Sequence, residues 1–278
     1  MFMDHALSRR LERAEGAIGF TFTEARNRVT PGANARGRDF DGTYAVFDGL
    51  DSPMNQTFGL GLFGATTVEQ LAEIEEFFAA IGSTTQHEVS PLAGAATAQL
   101  LVGRGYHPIE MTTILVQPIT DQPVVAPAGL AVRIIDPVVD HDRFIDASVR
   151  GWTSDPAFAE TIRALATVGV ANPTMTELVV EAEGAIIATA SLGVHEGVAL
   201  LAGASTIPEG RGRGAQGLLL AARLAEAHRR GCELALMGTE PGSGSQRNAQ
   251  RRGFAIAYTR TKWALRQGAA PSAAAAVQ

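Results

Sequence analysis

Apolar positions recur at helical spacing at the start of the chain. Leu7, Leu11 and Ala14 share one side of a helix expected over residues 4–18. A second short helix is expected from Thr23 to Val29, stopped by Pro31 and Gly32. Alternation then takes over. Gly42–Phe47 and Thr57–Phe63 read as strands; the first ends at the Asp48-Gly49 turn, and the glycines of the second imply a bulge or a close neighbour. Thr66 and Thr67 are suited to cap a helix carrying Leu71, Ile74, Phe77 and Phe78 on one face and ending at Gly82. A strand at Thr84–Val89, a helix from Ser90-Pro91 to Arg104 and a strand over Pro108–Gln117 follow.

Residues 118–129 contain Pro118, Pro123 and Pro127, the best domain boundary in the chain. Beyond it the pattern predicts a strand at Leu130–Ile135 and a helix from Asp136-Pro137 to about Arg150. A further helix runs from Asp155 to Val168, with Asp155 as cap and Pro156 in its first turn. Three strands come next, Thr176–Val180, Gly184–Val194 and Val198–Thr206, turned at Glu183-Gly184 and Glu196-Gly197. A long helix from Gly214 to Arg230 and a short strand at Glu233–Met237 follow. A helix over Ser245–Arg252 and a strand over Ala255–Leu265, broken near Thr259, complete the pattern.

The two halves share an order of elements. Residues 104–116, R-G-Y-H-P-I-E-M-T-T-I-L-V, answer 252–265, R-G-F-A-I-A-Y-T-R-T-K-W-A-L, when Gly105 is set on Gly253 and Thr113 on Thr261. The expected organisation is two related domains, 1–120 and 129–266, joined by a linker at 121–128 and followed by an alanine-rich flexible tail at 267–278.

Composition narrows the function classes. The chain is 46% apolar and 19% charged, so it is globular. Its net charge of -6 disfavours nucleic acid as a partner. No stretch has the length and apolarity of a membrane span, and the charged N-terminus lacks the apolar core of a secretory signal. With the single cysteine, Cys232, this suits the cytoplasm. No metal site is expected, since the six histidines show no metal-binding spacing.

The densest chemical signal is Thr206–Gly217, T-I-P-E-G-R-G-R-G-A-Q-G, between a strand and a long helix. Glycines at a helix start, with Arg211 and Arg213 among them, make an anion cradle for a phosphate. Neither the Walker A pattern nor the dinucleotide fingerprint fits.

This stretch resembles the GCN5-related N-acetyltransferase superfamily, in which Q/R-x-x-G-x-G/A opens a helix whose amides hold the pyrophosphate of acetyl-CoA. Arg211 and Gly214 fall on the first two positions, and Gln216 replaces the last glycine or alanine. Gly253-Phe254 matches the G-F that ends the family's next helix. The resemblance implies an α/β (α+β) fold of two such domains, each a mixed, mostly antiparallel twisted sheet flanked by helices. The first copy is degenerate: its turn, Leu62–Thr67, holds one glycine and no arginine.

The resemblance further implies direct acetyl transfer from acetyl-CoA to a primary amine, of a small molecule by preference, in a ternary complex. A homodimer is compatible with it. The implied cofactor contacts are Ala204, Ser205, Thr206, Ile207, Arg211, Gly212, Arg213, Gly214, Ala215 and Gln216, with Asn248 on the next helix. Glu240 is the first candidate for general base, ahead of Glu177, His195 and Glu196. Tyr258 is the candidate acid, because the position of the family's usual tyrosine is Ala249. Two alternatives stay open, a noncatalytic acyl-CoA sensor and an enzyme using a longer acyl chain.

Overall fold

The computed structural model describes residues 2–153 and 155–266; the tail expected at 267–278 lies outside them. The elements are α1 (His5–Val29), β1 (Arg36–Phe40), β2 (Thr43–Phe47), β3 (Gln56–Phe58), α2 (Val68–Ala79), β4 (Gln86–Val89), α3 (Gly94–Gly103) and β5 (Tyr106–Pro118). They continue with β6 (Ala131–Ile134), α4 (His141–Trp152), α5 (Pro156–Ala171), β7 (Met175–Ala182), β8 (Ala185–His195) and β9 (Val198–Thr206). The last four are α6 (Ala215–Arg229), β10 (Leu234–Thr239), α7 (Gly244–Gln250) and β11 (Ala255–Leu265).

Contacts divide the chain into two compact units. One comprises the described parts of Met1–Thr23, Gly32–Val116 and Gly238–Gln278; the other comprises Glu24–Pro31 and Gln117–Met237. This division does not follow the contiguous halves expected at residues 120 and 129. Residues from Gly238 onward group with the first half because β11 is hydrogen-bonded between two of its strands.

In the first unit the strands run β1-β2-β3-β4-β11-β5. All pairs are antiparallel except β3 with β4. Leu71, Ile74 and Phe78 of α2 bury one apolar stripe against Phe40, Ala45, Phe47 and Leu60. The helix α1 is continuous where two helices were expected. Nothing in Gly19–Phe22 breaks it, and its glycines serve packing instead: a Cβ on Gly16 would lie 2.4 Å from Tyr44, and one on Gly19 2.7 Å from Val46. The strand expected over Thr57–Phe63 stops at Phe58, because Gly59 and Gly61 turn the chain with φ of +85° and +74°.

The strand β11 is not broken at Thr259. It pairs with β5 along its whole length, Thr259 facing Thr113 and Arg260 facing Thr112, with Ala257 and Ile109 each bulged out of the ladder. Beside this pair lies a buried ionic cluster. Arg260 donates to Glu15 at 2.8 and 3.1 Å and reaches Glu12 at 3.3 Å, and its Nε lies 3.2 Å from Glu88. Burial pushes Glu12 up to about 7 against the pull of Arg260. Burial alone would lower the Arg260 guanidinium, and Glu15, Glu12 and Glu88 more than reverse it.

In the second unit the order is β10-β9-β8-β7-β6, with only β9 and β10 parallel. This is a mixed, mostly antiparallel twisted sheet; α4 and α6 both pack on β8 and β9. The helix expected from Asp136 begins only at His141, because Asp136 Oδ1 accepts from the amides of Val138 and Val139 and holds a turn. No helix among the described residues is long and apolar enough to cross a membrane.

Arg260→Met should destabilise the protein by about 3–5 kcal/mol near neutral pH, since it leaves buried carboxylates without a counter-charge. The loss should shrink toward pH 5, where Glu12, with its pKa raised to about 7, carries its proton. Urea denaturation at the two pH values measures this; equal losses at both would contradict it.

Candidate functional site

The site is built on β9. Its pairing with β10 covers only Val198–Leu200 against Leu234–Leu236, and no further among the described residues. Both strands continue, β9 to Thr206 and β10 beyond Leu236, so the parallel pair parts and leaves one edge of β9 unpaired. On its other side β9 is bulged. Thr189 faces Ser205 and Ser191 faces Ala202, so Ala190 alone opposes Gly203 and Ala204. Gly203 takes the left-handed conformation, φ +60°, that such a bulge requires, and it is exposed.

The strand is anchored beyond the bulge. Ser205 Oγ lies 3.0 Å from Thr189 Oγ1, which accepts from Ser148 of α4 at 3.0 Å. Gly151 of α4 packs so closely that a Cβ there would lie 2.3 Å from Ser205 Oγ and 3.0 Å from the Thr206 amide nitrogen. The Ile207 amide donates to Ile187 of β8 at 3.0 Å, and Gly210 lies against Ile187, 2.9 Å from the position of a Cβ.

The chain then enters the loop of residues 211–214. Gly212 and Gly214 have φ of +74° and +88°, and α6 begins with no side-chain cap and no acidic residue in its first turn. Leu218 donates to Gly214, so the amides of Ala215, Gln216 and Gly217 precede the helical ladder and have no acceptor within it. Arg211, Gly212, Arg213 and Gly214 are all exposed. Positive charge and free amides at a helix start make an anion site. Gln216 has a clear local job: its side chain donates to Thr206 Oγ1 at 2.7 Å and ties the helix start to the end of β9. Arg211 Nε donates to the Thr206 carbonyl at 3.4 Å.

Beneath the bulge lies a buried polar cluster. Ser191 donates a hydrogen bond to Glu177 Oε2. Arg223 of α6 donates to the carbonyls of Ala202 at 3.2 Å and of Ser191 at 3.4 Å. Burial raises Glu177 to about 7, opposed by the Ser191 hydrogen bond and by Arg223. Burial also pulls Arg223 down to about 10. Sequence reasoning ranked Glu177 below Glu240 and missed Arg223 altogether. The signal for Arg223 was present, as an arginine on the apolar stripe between Leu219 and Ala227.

The sequence-derived residues divide. Ala204 to Ile207 and Arg211 to Gln216 come together at the end of β9 and the start of α6 within the second unit. Glu240, Asn248 and Tyr258 belong to the first. Glu240 is exposed, with its carbonyl in a turn to Ser243. Asn248 is exposed on α7. Tyr258 is buried and donates to Glu12 at 2.7 Å; burial and then the Glu12 charge raise its pKa well above normal. Among the described residues no group of three or more His, Cys, Asp or Glu is placed to hold a metal ion.

No family model and no curated protein matches the sequence. Solved structures do match. A GCN5-related N-acetyltransferase from Kribbella flavida superposes with a TM-score of 0.67, covering 94% of this chain and 96% of its own at 18% identity. One from Sphaerobacter thermophilus gives 0.56 over 83% and 75% at 17% identity. This chain has the fold of the GCN5-related N-acetyltransferases. A tandem protein of this fold from the clavulanic acid biosynthesis pathway gives 0.57 over 80% and 77%, at 14% identity. At these identities the likeness carries the fold; the residues carry the rest.

The raised Glu177 yields a test with a defined sign. Its folded pKa of about 7 exceeds the ordinary 4.5, so stability from this group is full below pH 4.5 and is lost as pH rises through 7. Glu177→Gln should remove that component and gain on the order of 2–3 kcal/mol relative to wild type between pH 5 and pH 8. Chemical denaturation across this range checks it; an unchanged difference would show that Glu177 is ionised throughout.

Proposed function

We propose that the protein is an acetyl-CoA-dependent N-acetyltransferase acting on a primary amine of a small molecule, by direct transfer within a ternary complex. One observation carries the reading: an uncapped helix start with two left-handed glycines and two arginines stands directly after a bulged strand whose free edge faces a parting in the sheet. The helix-start amides of Ala215 and Gln216, with Arg211 and Arg213, suit a pyrophosphate. The cosubstrate supplies an activated acyl group as a thioester. The backbone at Ala204 to Thr206 suits its thioester carbonyl, while the Ile207 amide is already occupied by Ile187. The thioester oxygen would gain negative charge as the amine attacks, and backbone donors on β9 suit that charge.

We further propose that the chain is a tandem of two copies, the first degenerate. Setting Gly105 on Gly253 is an offset of 148 residues. The same offset carries β4 onto β10 and α2 onto α6 to within one residue at their starts, and β5 onto β11. The β5–β11 ladder obeys it as well. Thr112 pairs with Arg260, its own counterpart; Met111–Thr261 mirrors Thr113–Thr259, and the bulged residues Ile109 and Ala257 correspond. That regularity supports the reading of two related copies.

The first copy has lost the features of the cradle. Phe63 stands where Arg211 stands in the second, under the guanidinium groups of Arg9 and Arg13. Thr67 caps α2 with its own side chain. Thr57 pairs with His87 across β3 and β4, and His87 bridges Thr57 Oγ1 at 2.7 Å to the Tyr106 hydroxyl at 3.1 Å, closing that sheet.

Glu240 and Tyr258 remain the proposed base and acid, and Asn248 a further cofactor contact. A noncatalytic acyl-CoA sensor is the second reading. It is favoured by the buried Ala249, which offers no hydroxyl where the family usually has tyrosine.

Titration calorimetry with CoA, acetyl-CoA and ATP tests the binding reading, and thiol release over an amine panel separates enzyme from sensor. Gly214→Val should weaken CoA binding by at least about tenfold, since φ is +88° and a Cβ would press on Pro127 at 3.3 Å. A folded variant that binds CoA normally would refute the pyrophosphate assignment.

A further inference from the structure

We propose that Ser191, Glu177 and Arg223 are positioning residues that fix the register of the β9 bulge, and with it the backbone at Ala204 and Ser205 that would meet the thioester. The proposal rests on the acetyl-CoA reading above.

Three strands carry the arrangement side by side. Glu177 of β7 is opposite Ser191 of β8, and Ser191 is opposite Ala202 of β9, the last paired residue before the bulge. The Ser191 hydroxyl lies against Gly203; a Cβ there would stand 2.9 Å from Ser191 Oγ. Its proton is committed to Glu177 Oε2, which fixes the direction of the hydroxyl. Arg223 ties the carbonyls of Ser191 and Ala202 together across the same rung. Glu177 Oε1 is buried without a hydrogen-bond partner, 2.8 Å from the position of a Cβ on Gly169 of α5, so the carboxylate is walled in and held at Ser191.

A bulge is one extra residue in a ladder; Gly203 supplies the left-handed residue that favours it here, and the contacts on the neighbouring rung hold it in place. Moving it by one residue re-pairs the residues between the two positions, here Ala204 and Ser205, by about 3.3 Å and reverses which of their groups face the free edge. Burying charged groups is a poor source of stability compared with apolar packing. The position of Glu177 and Arg223 on the rung beside the bulge, gripping it through the Ser191 side chain and two carbonyls, is where they would select one register.

The test compares two ligands that differ only at the thioester. CoA reports the pyrophosphate cradle; acetyl-CoA also reports β9. If wild type binds neither, the acetyl-CoA reading fails and this proposal fails with it, at a distinguishable step. If wild type binds both, folded Ser191→Ala and Glu177→Leu should each raise the Kd for acetyl-CoA by about tenfold, the worth of one well-placed hydrogen bond. The Kd for CoA should stay within about twofold of wild type. Glu177→Gln keeps an acceptor for Ser191 and should restore the preference for acetyl-CoA. Unchanged acetyl-CoA binding in the variants, or parallel weakening of both ligands, would overturn the proposal. If Ser191→Ala or Glu177→Leu fails to fold, Ser191→Cys is measured instead by amide NMR. Shifts at Gly203, Ala204 and Ser205 support the proposal; an unmoved set at these three overturns it.

Discussion

A sheet that parts must satisfy its backbone on one side only. Beyond Leu200 the strand β9 loses its parallel neighbour, so half of its main-chain groups have no strand to meet. Everything around that stretch reads as a response. Ile187 takes the Ile207 amide, Gln216 reaches back to Thr206, Gly151 and Gly210 allow α4 and β8 to close in, and Arg223 fastens the rung where the parting begins. The free edge can stay free because the rest of the strand is held from several directions.

The two helix starts make an energetic contrast. In α2 the Thr67 hydroxyl accepts from Gln70, a cap worth about 1 kcal/mol. In α6 the corresponding position is Ala215 and nothing caps the helix. The helix α6 thus forgoes a small stabilisation that α2 keeps, and its first amides are not taken by a side-chain cap.

The glycine-arginine loop was legible in the sequence because glycine reports backbone geometry directly, and Gly212 and Gly214 do adopt left-handed angles. Element order was legible for the same reason, since turns at Glu183-Gly184 and Glu196-Gly197 are local events. Long-range pairing was not. Nothing local in Ala255–Leu265 says that it lies between β4 and β5, and this is why the contact units depart from the contiguous halves. The hydrogen bond from Tyr258 to Glu12 spans 246 residues of sequence and is long-range in the same way. Gln216 looked like a departure from a motif, and its hydrogen bond to Thr206 became visible only with both ends in place.

The position of β11 has a consequence for the order in which the molecule assembles. The first unit cannot finish its sheet from its own leading residues, because the strand between β4 and β5 is supplied by residues 255–265. During synthesis β4 and β5 emerge early and carry unsatisfied edges until almost the whole described chain has left the ribosome. The second unit's strands β7, β8 and β9 are consecutive hairpin neighbours, with β6 added across α4 and α5, so most of its pairing is local in sequence. The first unit's sheet therefore depends on pairings between residues far apart in sequence, whereas most of the second unit's strand pairing is local.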